Sequence, residues 1–203
     1  MDGKRRRAID DRPEAGLLRL LAGLDRLEVA YMIAGSAASS THGLWRATAD
    51  VDLVVSLDRD RADEFVAEFQ GEFYLDRDHI LQSLAFGRGF NLIHLGSAYK
   101  FDLFPLGPER FQRRQFARRR YEKASIFGGA AIELSVATPE DVILSKLSRY
   151  RRGGEVSDRQ WTDVLGVVAQ QRSRLDIAYL NEWANELGIA DLLEAALRER
   201  HGA

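Results

Sequence analysis

Residues 31–56 read YMIAGSAASSTHGLWRATADVDLVVS. The stretch opens on an apolar run, Tyr31 to Ala34, which is too short for a helix and predicts a buried strand. Gly35 permits a sharp backbone turn, and Ser36 is placed to cap a helix that starts after it. Free N–H groups at such a helix N-terminus make a ready site for phosphate. A second run, Val51 to Val55, is rich in β-branched residues and predicts another strand. Residues two apart on a strand share a face, so Asp50 and Asp52 point the same way, with Cα atoms roughly 7 Å apart. Two such carboxylates repel each other and resist ionising together. A divalent cation relieves that cost, and an all-oxygen ligand set suits Mg²⁺ or Mn²⁺. An acidic pair standing alone reads more readily as solvated charge at a strand start. The glycine–serine turn upstream and a third carboxylate downstream change that balance, because a phosphate cradle beside an acidic metal site fits chemistry on a nucleoside triphosphate.

The third carboxylate comes from the region after the central stretch. Arg61 to Gln70 carries Ala62, Phe65, Val66 and Phe69 at helical spacing. Phe73 to Phe104 then reads as β-rich. Gly87 and Gly89 mark a turn, and two apolar runs, Phe90 to Leu95 and Tyr99 to Phe104, joined by Gly96-Ser97-Ala98, predict a hairpin. Asp102 is a charge inside the second run, and burying it without a partner would be costly. Lys100 shares its face two residues earlier and is one candidate partner. A metal ion, with Asp102 as third ligand, is the other, and it is the reading that completes the acidic constellation.

Upstream, Met1 to Arg12 is charged and expected to fray. Leu17, Leu18, Leu20, Leu21, Leu24 and Leu27 recur at helical spacing, so Glu14 to Leu27 predicts an amphipathic packing helix. Downstream, Arg110 to Lys123 reads RFQRRQFARRRYEK, densely basic with Phe111, Phe116 and Tyr121 interleaved. Such a segment suits a nucleic-acid backbone, triphosphate or an acidic partner, and equally a solvated helix that packs its aromatic residues inward. Ala124 to Phe127 and Ala131 to Val136 predict a hairpin around Gly128-Gly129. Thr138-Pro139-Glu140-Asp141 is a helix start, with Thr as N-cap, Pro at N1 and acids in the first turn. That helix is expected to end at Gly153-Gly154. Ser157 or Asp158, Asp176 and Asp191 start three more. A boundary near Ala137 is therefore expected, with an α/β domain over 1–136 and a helical domain over 137–203.

The run Gly35-Ser36, Gly43, Arg46, Thr48, Asp50 and Asp52 resembles the nucleotidyltransferase superfamily of polymerase-beta-like fold, and most closely the AbiEii-like bacterial nucleotidyltransferases, several of which are toxins of toxin–antitoxin pairs. The resemblance extends over about Leu27 to Val168. It implies an α+β fold: a nucleotidyltransferase-type mixed sheet with flanking helices, followed by a C-terminal helical domain that completes the cleft. It places the strand of Asp102 beside the strand of the acidic pair, and it makes Asp50, Asp52 and Asp102 ligands of Mg²⁺ or Mn²⁺. Gly35, Ser36, Arg46 and Thr48 fall in the nucleotide-binding part. In the resembled family a lysine on the helix after the sheet and an aspartate on the next helix complete the site. The segments EDVILSKL and DRQWTDV match these, giving Lys146, to contact triphosphate oxygens, and Asp163, to orient the lysine or deprotonate an acceptor hydroxyl. Without the resemblance the two read equally well as an exposed interhelical ion pair. Gln160 stands where the family toxins often carry a charge.

The chain has 203 residues, enough for one large domain or two small ones, and 45% hydrophobic content, enough for a core. A formal charge of −2 excludes a global polycation, so nucleic-acid contact would need a local patch. Cysteine is absent, which excludes disulfides, thiol catalysis and cysteine-ligated zinc. No apolar stretch is long enough for a bilayer and no secretion signal is visible, so the expected location is cytoplasmic. His42, His79, His94 and His201 lack metal-ligand spacing, and Ser36 belongs to no Ser-His-Asp arrangement. The expected activity is metal-dependent transfer of a nucleoside monophosphate from an NTP to a hydroxyl on RNA or tRNA, a protein or a small molecule, with a cognate antitoxin or toxin as partner. The rival class is a catalytically inactive binding protein of the same fold, antitoxin-like or RNA-binding. The intact set of three carboxylates favours the enzyme.

Overall fold

The computed structural model describes residues 10–199. The first nine residues of the charged start, and His201, lie outside them. Seven strands form one mixed sheet, in the order Phe73–Tyr74, Phe90–His94, Lys100–Pro105, Asp50–Val55, Tyr31–Ile33, Ile132–Val136 and Arg120–Ala124, flanked by helices. The described residues fall into two compact units, each built from separated stretches of chain. One takes the described part of Met1–Tyr31 together with Val55–Pro105, and the other takes Met32–Val54 with the described part of Leu106–Ala203.

The first unit opens with α1 (Pro13–Arg26), which has Pro at its first turn and buries Leu17, Leu20, Leu21 and Leu24. A 3₁₀ turn, Arg59–Arg61, leads into α3 (Ala62–Phe69), then β3 (Phe73–Tyr74), α4 (Arg77–Phe86), β4 (Phe90–His94) and β5 (Lys100–Pro105). Its core is aromatic: Phe65 packs on Phe69 and edge-on to Phe90, and Phe73 meets Phe69 and Phe101. The expected hairpin is present. β4 and β5 pair antiparallel, with Asn91 opposite Asp102 and Ile93 opposite Lys100. The region 73–104 is not all β, however. Asp76 caps α4 by accepting from the His79 N–H, and Gly87, at φ +62°, closes it in the left-handed conformation. Gly87 therefore ends a helix, whereas the sequence suggested a turn between strands.

The second unit contains β1 from Met32 on (strand Tyr31–Ile33), α2 (Gly35–His42) and β2 (Asp50–Val55) up to Val54. It continues with α5 (Arg110–Arg118), β6 (Arg120–Ala124), β7 (Ile132–Val136), α6 (Pro139–Arg152), α7 (Asp158–Gln171), α8 (Ile177–Glu186) and α9 (Ala190–Arg198). β1 runs parallel to β7, with Ile33 opposite Val136, and β6 returns antiparallel to β7. The last hairpin thus starts at Arg120, inside the basic segment, and its turn is longer than the Gly-Gly pair. Thr138 caps α6 as expected, accepting from the Asp141 N–H, with Pro139 at N1. Ser157 and Asp176 cap α7 and α8. α2 lies against α7 so closely that a Cβ on Gly43 would come within 2.9 Å of the Val167 nitrogen.

Candidate active site

β1 and β2 are joined at their ends by the Ala34 N–H, which donates to the Asp52 carbonyl at 2.9 Å. The chain then turns into α2 through Gly35 at φ +57°. Ala34 is the N-cap and no side chain caps the helix, so the expectation that Ser36 does so is corrected. The reason is local. The turn residue is itself the first helical residue, which puts Ser36 at the second position, past the place from which a hydroxyl can cap. The Asp52 side chain lies directly over this turn. A Cβ added at Gly35 would meet Asp52 Oδ2 at 1.8 Å. Gly35 is therefore required twice, for its left-handed backbone and for the approach of a carboxylate to the helix start.

On β2, Val51, Leu53 and Val55 are buried while Asp50, Asp52 and Val54 are half-buried, so the two carboxylates share one face as expected. Thr48 fixes the entry to that strand by donating its hydroxyl to the Asp50 carbonyl at 2.8 Å.

Ser36 Oγ accepts from Arg46 Nη2 at 2.7 Å. The same guanidinium grips Asp163 with two nitrogens, Nε to Oδ1 at 2.9 Å and Nη2 to Oδ2 at 2.8 Å. Lys146 Nζ donates to Asp163 Oδ2 at 2.7 Å. Lys146 is buried, 5% exposed, and the Asp163 it pairs with is half-buried. Burial pushes the Lys146 ammonium below 10.5, and the Asp163 hydrogen bond works against that. Burial would raise Asp163, but hydrogen bonds from Arg46 and Lys146 outweigh it and hold the carboxyl below 3.8. The Arg46 guanidinium is raised by the Asp163 hydrogen bond. An aspartate that accepts from two cations and is held ionised is a poor proton acceptor and a good anchor. Of the two roles open to Asp163, the geometry suits orientation.

Asp102 lies on β5 in the other unit, between buried Phe101 and Leu103. Lys100 Nζ lies 2.7 Å from its Oδ2. Among the described residues no group of three or more His, Cys, Asp or Glu side chains converges as a ready metal cage. The donor chemistry nevertheless fits a hard divalent cation: Asp50, Asp52 and Asp102 offer only carboxylate oxygen, and on Asp102 an ammonium already occupies a cation's place.

The basic segment is largely engaged within its own unit. Arg110 pairs with Glu186 and lies 5.0 Å over the Trp183 ring. Arg114 faces Tyr179. Arg118 stacks 3.8 Å over Tyr179 and pairs with Glu140 at 3.3 Å. Arg119 donates to the Phe116 carbonyl and covers that ring. Phe116 is buried and Phe111 meets Trp183, the inward packing that was one of the expected alternatives. His42 is a buried structural residue, with Nε2 2.7 Å from the Ala137 carbonyl, and His94 Nδ1 lies 3.0 Å from Ser97 Oγ. The link from Arg46 to Asp163 spans 117 positions. No local pattern announces it, although both residues belonged to the motif.

No protein-family model matches the sequence, and no curated protein does. Among solved structures the fold matches an antigenic nucleotidyltransferase-like protein from Paracoccidioides brasiliensis, with TM-score 0.51, 22% identity and 93% of each chain covered. The antibiotic-resistance factor ANT(2'')-Ia aligns with TM-score 0.48 and 13% identity over 89% of this chain and 91% of its own. The lincosamide antibiotic adenylyltransferase LnuA, in its lincomycin-bound structure, aligns with TM-score 0.45 and 12% identity over 78% and 98%. The first likeness shows that the mixed sheet with flanking helices is shared with a nucleotidyltransferase-like protein. No helix among the described residues is long and apolar enough to cross a membrane.

Proposed function

We propose that this protein is a metal-dependent nucleotidyltransferase that moves a nucleoside monophosphate from an NTP to a hydroxyl acceptor. The observation that carries the reading is the Gly35 turn, where a left-handed glycine brings the Asp52 carboxylate against the start of α2. A helix start with open N–H groups attracts phosphate, and a carboxylate beside it would repel phosphate unless a cation lay between them. Asp50 and Asp52, with Asp102 as the third carboxylate, are the proposed ligands of Mg²⁺ or Mn²⁺. Bound there, the metal would supply electrostatic stabilisation of the phosphoryl oxygens during displacement.

The chain's own residues have the following roles. The Gly35 and Ser36 backbone receives the β- and γ-phosphates. Arg46, fixed by Asp163 and hydrogen-bonded to Ser36, presents positive charge to the same place, and Thr48 holds the strand that carries Asp50. Lys146 is a second cation for the triphosphate, and Asp163 keeps both cations in position. The acceptor oxygen bonds to the α-phosphorus, the α–β bridging P–O bond breaks, pyrophosphate leaves and the acceptor proton goes to solvent. In this reading residues 1–136 carry the catalytic sheet, and residues 137–203 contribute the helices that complete the cleft.

The resemblance to AbiEii-like proteins supports a toxin–antitoxin component with a cognate partner, acting in the cytoplasm. The acceptor is RNA or tRNA, a protein or a small hydroxylated molecule. The internal engagement of Arg110, Arg114, Arg118 and Arg119 favours the last two. The alternative, an inactive antitoxin-like or RNA-binding member of the fold, has one observation in its favour, the Lys100 ammonium on Asp102.

Calorimetric titration with NTP and Mg²⁺ tests the carrying observation. Gly35→Val, which blocks both the backbone turn and the carboxylate approach, is expected to abolish nucleotide binding. Binding that survives in a folded Gly35→Val protein would place the phosphate cradle elsewhere.

A further inference from the structure

We propose that Lys100 is a displaceable counter-ion: its ammonium holds Asp102 while no metal is bound and yields the carboxylate to a divalent cation. The proposal rests on the metal-dependent reading above. Lys100 and Asp102 are two apart on β5 and so share a face. Phe101 and Leu103, buried between and beside them, lock the strand so that neither side chain can turn to the other face. The ammonium nitrogen stands 2.7 Å from Asp102 Oδ2. Across the hairpin, Asn91 stands opposite Asp102 and Ile93 opposite Lys100.

The strength of the pair suits exchange. Lys100 is 40% exposed and Asp102 20%, so water and salt screen their attraction. Lysine carries a strongly hydrated point charge on a flexible stem, which can leave a carboxylate and return to water with little rearrangement. An arginine fork would hold two oxygens and let go less readily. A divalent ion brings twice the charge and binds several oxygens at once, so it competes successfully where a monovalent ion would not. Without metal, the ammonium neutralises a carboxylate that would otherwise repel anions. The consequence is a lower affinity for free metal.

Titration of nucleotide-free protein with Mn²⁺, followed by the electron paramagnetic resonance of the free ion, tests this without reference to turnover. Lys100→Gln is expected to bind Mn²⁺ about fivefold more tightly than the wild type, which is ~1 kcal/mol at 1.4 kcal/mol per tenfold. Lys100→Arg, which keeps the cation, is expected to show no tightening. In an Asp102→Asn background, Lys100→Gln is expected to add nothing. Unchanged affinity in Lys100→Gln overturns the proposal, and so does tightening that persists with Asp102→Asn. If Mn²⁺ does not bind, or binds regardless of Asp50→Asn and Asp52→Asn, the metal reading itself fails and takes this proposal with it.

Discussion

The second unit carries positive charge in two contrasting places. Residues 110–123 hold six arginines and a lysine in one run. Arg46 and Lys146 are two cations 100 positions apart. The dense run is spread over α5 and the edge strand β6, and Arg110, Arg114, Arg118 and Arg119 spend their charge on acids, rings and a carbonyl of the same unit. The sparse pair converges on one half-buried carboxylate, Asp163, and one of its members reaches the Ser36 hydroxyl. Charge density along a sequence therefore says little about where charge is available. What concentrates a field is burial and convergence, because solvent screens exposed cations and cannot screen those in a cleft.

Asp163 is where this contrast breaks most sharply. Asp163→Ala leaves Arg46 and Lys146 as neighbouring cations without their anion; removing one partner of a fully buried ion pair costs about 3–5 kcal/mol, and this part-buried site lies toward or below the lower end. Urea unfolding at pH 7 is expected to show a loss of that order. The pH dependence follows from the direction of the shift. The Asp163 carboxyl is held below 3.8 in the folded protein, so its contribution is present above that value and lost as pH falls through the lower folded value. The stability gap between wild type and Asp163→Asn is expected to narrow progressively as pH falls below about 4. A gap that does not change between pH 7 and pH 3 would mean the three side chains do not act as a unit.

A much smaller effect is expected from the dense run. Four of its arginines are exposed; Arg110 and Arg114 meet Glu186 and Tyr179, and the other two are Arg113 and Arg120. Replacing both with Gln is expected to change stability by less than about 1 kcal/mol, as for exposed charges in general. If RNA is bound at all, its salt slope is expected to fall by about two. A larger drop in slope would show that α5 releases its internally paired arginines to a polyanion, and RNA would again be the favoured acceptor.

The parts of this molecule that were legible in sequence are those fixed by neighbours along the chain. The run from Tyr31 to Val55 predicted both strands and the shared face of Asp50 and Asp52, because strand periodicity is a local property. Thr138-Pro139 predicted the start of α6 for the same reason. α4 was missed because it buries only Ile80 and Ser83 and has no clear apolar stripe, although Asp76 and Gly87 mark its ends. The division into two units, each made of separated stretches, was not legible, since composition does not change where the chain passes from one to the other. Lys146 read equally well as an exposed partner, because the side chain that buries with it lies on the next helix. The capping role expected of Ser36 failed by one residue, and that one residue is the glycine whose left-handed backbone starts the helix.

The most direct measurement is label transfer from each α-labelled NTP, with Mg²⁺, to separate pools of cellular RNA, protein and small hydroxylated molecules. It should be made with the wild type and with Asp50→Asn/Asp52→Asn in parallel. The expected result is that the wild type labels one pool while the double variant labels none and melts no lower than the wild type, since it loses like-charge repulsion along with the ion. Label transferred equally by the double variant, or by neither protein to any pool, would contradict nucleotidyl transfer at this site.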